Sequence, residues 1–157
     1  MSSSPVTGIT VTYNVALVSL YKLPNNIRVI SELFSAIAQN GINIDMINQT
    51  PPYRDCINLS FSLKNSQLVN VLSVLNEFRK KYPDLRVEID ADNTKLSVYG
   101  EGMRNVPGVA ASIFTIFAEE DIAVKLVTTS ETDISYLIFD KDVDKATSAI
   151  KARYSIE

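Results

Sequence analysis

Two turns in the sequence combine groups that suit a free amino acid. Each turn leads from an apolar strand into a helix. The first turn contains Asn25 and Asn26, and the second contains Pro107 and Gly108. Backbone N–H groups and the positive end of the dipole at a helix start suit a carboxylate. The strand after the first helix carries Asp45, which could accept an ammonium group, and the strand after the second leads into a hydroxyl run at residues 128–130. This combination predicts an amino-acid site.

Each of these features also has a plain structural explanation. A turn of this kind starts a helix whether or not a ligand binds there. Asp45, taken alone, is typical of a charge in water at a strand edge. The residues by themselves leave both interpretations open.

Catalysis and metal binding find little support in the residue types. The chain has no histidine, which removes the commonest general base and the commonest metal ligand. The single cysteine, Cys56, cannot form a disulfide within the chain and has no histidine to activate it. The GEG turn at residues 100–102 lacks the lysine of a phosphate loop, so we interpret it as a tight bend. We expect no catalytic residue, no metal and no cofactor in this chain.

The elements that position these residues occur twice. Aligning Phe34 with Phe114 offsets the two copies by eighty residues, which is too long for a solenoid repeat and favours a pair of small domains. The other matched pairs are Leu33 and Ile113, Ala38 and Ala118, Ile42 and Ile122, Ile44 and Val124, Met46 and Leu126, Ile47 and Val127, and Thr50 and Ser130.

The first copy predicts a β-α-β-β-α-β order. Strands are expected at residues 16–21, 42–49, 57–63 and 85–89, and apolar residues at helical spacing predict helices after Arg28 and from residue 68. Gly41 is expected to end the first helix, Asn65 or Ser66 to cap the second and Pro83 to stop it. Serines alternate with apolar residues in the third strand, which predicts one wet face. This plan is that of a ferredoxin-like α+β fold, a four-stranded antiparallel sheet with two helices on one face.

The second copy lacks one strand. Strands are expected at residues 95–99, 122–127 and 134–139, with one helix starting near Val106, Pro107 and Gly108 and another capped by Asp142. Only residues 154–157 follow, which are too few for a fourth strand. We therefore predict that a spare N-terminal strand at residues 6–12 completes the second sheet. The predicted domains are residues 15–91 and residues 94–157 together with strand 6–12.

The amino-acid composition argues against nucleic acid and membranes as partners. The chain is 46% hydrophobic and 21% charged, as expected for a soluble globular protein, and its net charge of −3 gives no basic surface for nucleic acid. The aromatics on the predicted strands are too few to suggest an RNA-recognition motif. No apolar run is long enough to span a membrane, the N-terminus lacks the pattern of a signal peptide, and the lone cysteine fits a reducing compartment. We expect a cytoplasmic protein that binds neither nucleic acid nor membrane.

Several motifs resemble one family closely. They are VTGIT from Val6, INIDMI from Ile42 with Gln49 after it, GEGMRNVPGVAASIF from Gly100 and TSE from Thr129. In this order and spacing they resemble the regulatory region of aspartate kinase, a tandem pair of ACT domains. The resemblance covers nearly the whole chain from Val6, and it implies that the N-terminal strand joins the second ACT domain.

The resemblance implies feedback control of aspartate-family amino-acid biosynthesis. Aspartate kinase makes aspartyl phosphate from aspartate and ATP, and its ACT region binds lysine, threonine or both. ATP and magnesium would belong to the kinase domain, which lies N-terminal in the family. The expected partners are an amino-acid effector, the kinase catalytic domain or subunit, and a second copy in a homodimer with effectors between subunits.

The family's effector positions carry over to two groups of residues. Those in the first domain are Leu23, Asn25, Asn26, Ile44, Asp45, Met46, Ile47 and Gln49. Backbone groups near the turn, including that of Ile27, could hold the effector carboxylate. Those in the second domain, where the family loses feedback sensitivity, are Thr128, Thr129 and Ser130.

The sequence departs from the family pattern at two turns. The Asp-x-Pro-Gly turn of the first domain is Asn25 to Arg28 here, without the acid or the glycine, and the Asn-x-Asn of the second domain is residues 121–123, Asp-Ile-Ala. We interpret Arg28 as an alternative contact for an effector carboxylate. Two other functions stay open, an ACT sensor that regulates another enzyme or a transcription regulator, and an independent enzyme.

Overall fold

The computed structural model describes residues 4–157. The chain divides into two compact units, which we name the first unit (residues 14–91) and the second unit (residues 4–13 with 92–157). The strands are β1 Gly8–Pro24, β2 Ile47–Gln49, β3 Cys56–Lys64, β4 Arg86–Tyr99, β5 Leu126–Thr129 and β6 Asp133–Phe139. The helices are α1 Ile27–Gln39, α2 Leu68–Lys81, α3 Val109–Glu119 and α4 Val143–Tyr154.

The first unit has the strand order β2-β3-β1-β4, with β3 antiparallel to both β1 and β2. Alternate residues of the strands, such as Val18 and Phe61, form one apolar cluster with Leu33 of α1 and Leu75 of α2. Because both helices share this cluster, they cover the same face of the sheet. This arrangement is the predicted ferredoxin-like fold.

The second unit has the same order once its N-terminal strand is counted. The sheet runs β1-β4-β6-β5, and the start of β1 takes the place of a fourth strand. The Thr7 N–H donates to the Tyr99 carbonyl at 2.8 Å, and the Val6 side chain is fully buried in this unit's core. The prediction that the N-terminal strand completes the second sheet is therefore confirmed.

The internal repeat extends to individual contacts. Phe34 packs edge-on against Phe61 with ring centroids 6.0 Å apart, and Phe114 packs edge-on against Tyr136 at 5.7 Å. Each sheet also joins two serines across neighbouring strands, Ser19 to Ser60 at 3.0 Å and Ser97 to Ser135 at 2.7 Å. The two units thus repeat the same packing.

Helices α1 and α3 end in the same way. Gly41 has a φ of 71° and Asp121 a φ of 55°, and in each case the next residue donates back into the helix, Ile42 to Ile37 at 3.3 Å and Ile122 to Phe117 at 2.8 Å. These are Schellman ends, which need a left-handed residue just after the helix. The role predicted for Gly41 is confirmed, and Asp121 fills the same position without being glycine.

Several predicted boundaries were wrong. The N-terminal strand and the first strand of copy one are one continuous strand, β1, and Leu85–Ile89 and Lys95–Tyr99 likewise merge into β4. Strand β2 begins only at Ile47, because the chain before it first closes the end of α1.

The predicted helix starts were right only in part. A 3-10 turn precedes α2, whose N-cap is Gln67 and receives no side-chain cap, so neither Asn65 nor Ser66 occupies that position. Asp142 lies at the N-cap of α4, but its carboxylate approaches Lys145 at 3.7 Å instead of capping the backbone. Helix α3 begins at Val109 after Gly108, whose φ is 89°, and this leaves Pro107 outside the helix.

Candidate functional site

The predicted turn at the start of α1 satisfies most of its own donors. Asn26 is the N-cap, and its Oδ1 accepts from the Arg28 N–H at 2.9 Å. The Asn25 N–H donates to the Asp55 carbonyl at 2.9 Å and the Asn26 N–H to the Pro24 carbonyl at 2.8 Å. Within residues 25–28, the Ile27 N–H is the donor left without an acceptor in the described chain. The exposed Arg28 side chain is the other group that the turn offers to a ligand.

Two of the predicted residues have buried side chains. Leu23 and Met46 are 0% and 3% exposed, and Leu23 belongs to the apolar core. The Met46 backbone is also engaged, since its N–H donates to Ser62 Oγ at 2.9 Å and its carbonyl accepts from the Ser62 N–H at 2.9 Å. Their side chains are therefore not accessible to a ligand.

Ser62 is a residue that the sequence pattern placed wrongly. We predicted a wet face for β3, yet Ser62 is fully buried and its hydroxyl and carbonyl bind the N–H groups of Met46 and Asp45. Asp45 and Met46 thus both lie opposite Ser62, and two residues opposite one is the arrangement of a β-bulge. Ser62 therefore positions the predicted residues just before β2, and nothing in its sequence neighbourhood indicated that role.

Strand β2 is an exposed sheet edge with free backbone groups. Ile47 and Gln49 pair with Phe61 and Leu59, while the N–H of Thr50 donates to Asn58 at 2.9 Å. In an antiparallel ladder alternate residues bond to the partner strand, so the N–H and carbonyl groups of Ile47 and Gln49 point away from β3. All three residues of β2 are exposed.

The turn and the end of β2 lie at the same end of the sheet. Leu59 pairs with Gln49 on one side and with Leu20 on the other, and the turn at Asn25 follows directly after the end of β1. Asp45 lies four residues back along the edge from Gln49, which is about 13 Å in an extended chain. The fold therefore brings Gln49 towards the turn and leaves Asp45 at a distance from it.

The hydroxyl residues belong to the second unit. Thr128 and Thr129 pair with Ser135 and Ile134, and Ser130 closes the hairpin, with its N–H donating to the Asp133 carbonyl at 2.8 Å. The Ser130 hydroxyl also accepts from the Thr132 N–H at 3.3 Å. These residues thus form a strand end equivalent to the end of β2, with Ser130 already engaged in the turn.

Two exposed groups with shifted pKa values, Lys81 and Glu88, lie elsewhere on the surface. A hydrogen bond from Lys81 to Glu32 raises the pKa of the lysine, and a hydrogen bond from Arg86 lowers the pKa of the Glu88 carboxyl. Both are exposed ion pairs, which fits surface salt bridges and not acid-base catalysis. Across residues 4–157 there is no cluster of three or more histidine, cysteine or acidic side chains that could hold a metal ion.

Within the described part of the chain, no helix has the length and apolar character needed to cross a membrane.

Comparisons with known proteins agree with this fold. A family model described as an ACT domain matches residues 96–154. The chain is 32% identical over 151 residues to an aspartokinase of Bacillus sp. (strain MGA3), a match that covers 96% of this chain and 37% of that protein. The chain therefore spans a little over a third of the length of this curated relative.

Two solved structures resemble the chain over almost their entire length. The regulatory subunit of aspartate kinase from Thermus flavus matches with a TM-score of 0.85 and 26% identity, covering 94% of this chain and 97% of that one. A chain in a structure of aspartokinase alpha and beta subunits matches with a TM-score of 0.83 and 32% identity, covering 96% and 99%. With its two ferredoxin-like units and its N-terminal strand in the second sheet, the chain belongs to the family of aspartokinase regulatory regions, which are built from ACT domains.

Proposed function

We propose that the chain is the amino-acid-sensing regulatory region of an aspartokinase and that its effector is lysine or threonine. The observation that carries the proposal is the open edge of the first unit, where the free groups of Ile47 and Gln49 lie towards the turn that carries Arg28. Its near full-length similarity to an aspartate kinase regulatory subunit supports the same function.

The first unit offers complementary groups for the two charges of an amino acid. The Ile27 N–H and the Arg28 guanidinium suit the carboxylate, and a charge-assisted hydrogen bond from arginine is the stronger of the two. The outward carbonyl of Gln49 suits the ammonium group. The Gln49 side chain, on the same face of the edge as Ile47, adds an amide that can donate or accept.

We propose that a second copy completes this site. Two β2 edges that pair antiparallel only at Ile47, with an effector held between Gln49 of one copy and Asp45 of the other, would place these two residues opposite each other. Such a pairing is isologous and uses the same surface twice. It would also cover Ile47, which is 51% exposed on an unpaired strand edge. The Asp45 carboxylate would then reach the ammonium group that the partner copy holds.

Regulation would follow from selective binding to one arrangement of the regulatory pairs. An effector shifts a conformational equilibrium only by the difference in its affinity for the two states. The kinase catalytic domain or subunit is the partner that would respond, and ATP and magnesium would bind there. We propose no catalytic role for this chain itself.

Calorimetric titration tests the effector site. Lysine and threonine should be titrated separately into the 157-residue chain, with methionine and isoleucine as further amino acids for comparison. We expect saturable binding of lysine or threonine, and Arg28→Ala should weaken it about tenfold or more because the carboxylate loses a charged donor. Arg79→Ala, which removes an exposed cation from α2, is the matched control and should bind as the unchanged chain does. Equal affinity in the Arg28 and Arg79 variants would rule out the role of Arg28.

The edge pairing has its own test. Ile47→Lys places a charge in the middle of the proposed contact, and charges on strand edges oppose pairing. Analytical ultracentrifugation should show that the unchanged chain forms dimers and that the variant shifts towards monomers, with Val69→Lys on exposed α2 surface as the control. A variant that stays as dimeric as the control would show that copies associate elsewhere.

A further inference from the structure

A depression beside the β2–β3 hairpin of the first unit collects positive charge. It has a volume of about 320 Å³ and is lined by Lys22 and Arg54, with Pro51, Tyr53 and Asn58 among its other walls. No Asp or Glu of the described chain lines it, and neither cation has a carboxylate partner within residues 4–157. Lys22 also lines a second depression that contains Asp55 and Asp84, so the excess of two positive charges is confined to the first one.

A bulge in β1 determines where Lys22 lies. The pairing register of β1 with β3 shifts between Leu20 and Leu23, and Lys22 within this shift has a φ of 60°. A positive φ is uncommon for lysine, and bulges redirect side chains next to binding sites. The backbone therefore adopts a less favourable conformation at the residue that lines the depression.

The hairpin holds Arg54 and the floor of the depression in place. Tyr53 and Cys56 exchange backbone hydrogen bonds of 2.8 and 3.0 Å across the turn, and the Arg54 guanidinium lies 5.1 Å from the centre of the Tyr53 ring. Thr50 Oγ1 accepts from the Asn58 N–H at 2.9 Å. A site whose walls are already ordered loses less entropy when a ligand binds.

The equivalent hairpin of the second unit has the opposite character. Its turn carries Glu131, which forms an ion pair with Arg104. No such neutralisation occurs among the described residues at the Lys22 and Arg54 depression. The positive depression is therefore a feature of the first unit alone and does not belong to the repeated plan of the two units.

We propose that Lys22 and Arg54 form a binding site for a small dianion, of the phosphate-monoester or dicarboxylate class. Two cations around one depression match two negative charges, and an arginine can bind a phosphate or a carboxylate through two parallel hydrogen bonds. Pro51 and the Tyr53 ring add apolar surface to the lining beside the two cations. The site shares no residue with the proposed effector site, so the two are tested separately.

The test uses inorganic phosphate and succinate as probes at constant ionic strength. Each is titrated into the 157-residue chain while the amide NMR signals of Arg54, Asp55 and Cys56 are followed. Lys22→Asn and Arg54→Asn remove one charge each and keep a residue type that tolerates positive φ. Arg79→Gln removes one charge from the exposed surface of α2 and is the matched control.

We expect saturation by at least one probe below about 10 mM, and each site variant should weaken binding about tenfold while Arg79→Gln does not. Tighter binding of phosphate assigns the site to phosphate monoesters, tighter binding of succinate assigns it to dicarboxylates, and equal binding shows recognition of charge alone. The absence of saturation by both probes, or equal affinity in Arg54→Asn and Arg79→Gln, overturns the proposal. Calorimetric binding of lysine or threonine should be the same in all three variants.

Discussion

Gly100→Ala is expected to lower the free energy of unfolding by about 2–4 kcal/mol, because it displaces the N-terminal segment from the second unit. A Cβ at residue 100 would lie 2.1 Å from the carbonyl oxygen of Pro5. Both groups are backbone or attached directly to it, so a side-chain rotation cannot relieve the clash. The N-terminal segment must move away instead.

The loss of unfolding free energy comes from two interactions that the N-terminal segment makes with the second unit. The segment contributes the Thr7 to Tyr99 hydrogen bond at 2.8 Å and the fully buried Val6 side chain. A buried valine contributes about 1.5–3 kcal/mol and a backbone hydrogen bond about 1 kcal/mol. The loss should appear as a lower midpoint in urea unfolding followed by circular dichroism.

A second glycine separates this clash from the general effect of an added methyl group. Gly108 has a φ of 89°, and no atom of the described chain outside its immediate neighbours lies within 4 Å of the point that a Cβ would occupy. Gly108→Ala should therefore cost only the strain of a left-handed alanine, about 1–2 kcal/mol. Deleting residues 1–5 removes Pro5 and should abolish most of the effect of Gly100→Ala. An undiminished effect in the shortened chain would contradict this explanation.

Tyr136→Phe is expected to raise the free energy of unfolding by about 1–2 kcal/mol. Tyr136 is fully buried, and its hydroxyl has no hydrogen-bond partner among residues 4–157. An unpaired buried hydroxyl loses its bonds to water without replacement. The equivalent residue of the first unit is Phe61, which makes the same edge-on contact without a hydroxyl.

The reverse substitution provides the matched control. Phe61→Tyr should destabilise the first unit by a similar amount, because it places a hydroxyl where the fold has an apolar core. Both effects can be measured by urea unfolding at neutral pH. If Tyr136→Phe lowered stability, the hydroxyl would have to be satisfied in solution.

The difference in stability between Tyr136→Phe and the unchanged chain should grow at alkaline pH. Burial raises the pKa of Tyr136 above its ordinary value, so the folded chain disfavours the phenolate more than the unfolded chain does. Stability is then unaffected below the unfolded pKa of about 10 and falls as the pH rises above it. Tyr136→Phe should lose less stability than the unchanged chain between neutral pH and pH values above about 10.

Much of the fold was predictable because local patterns and packing agree. Apolar residues at helical spacing indicated α1 to α3, and Gly41 indicated the end of α1. The missing strand of the second copy was inferred by counting, since a four-stranded sheet needed a partner and residues 6–12 were unassigned. The structure confirms that inference, with Val6 in the core of the second unit.

Boundaries failed where a tertiary contact replaced the local preference. Ile42 and Ile44 alternate as in a strand, yet Ile42 closes the end of α1 and both pack into the core before β2 begins. At Asp142 the boundary was right, but the carboxylate approaches Lys145 one turn along the same helix instead of the backbone N–H groups. The sequence at Ile42 offered two favourable local arrangements, and packing selected one.

The sequence predicted which residues form the candidate site but not the directions of their groups or the distances between them. The motifs identified Asp45 and Gln49, and the departure from the family turn suggested Arg28. The outward direction of the edge groups and the distance from Gln49 to Asp45 depend on the pairing of β2 with β3. The engagement of Asn25 by Asp55 was likewise hidden, because it is made by a loop that lies thirty residues further along the chain.

The sequence by itself determined the class of this protein, since periodicity, the eighty-residue repeat and the family motifs are local or nearly local properties. The tertiary structure alone determined which distant residues come into contact, and therefore why a particular residue type is needed at a position. Gly100 was interpreted as a tight bend, but its φ of 173° is extended, and glycine is needed there because Pro5 lies against it. The positive depression at Lys22 and Arg54 joins residues from separate segments of the chain. Contacts between distant segments depend on strand register and packing, which no local pattern encodes.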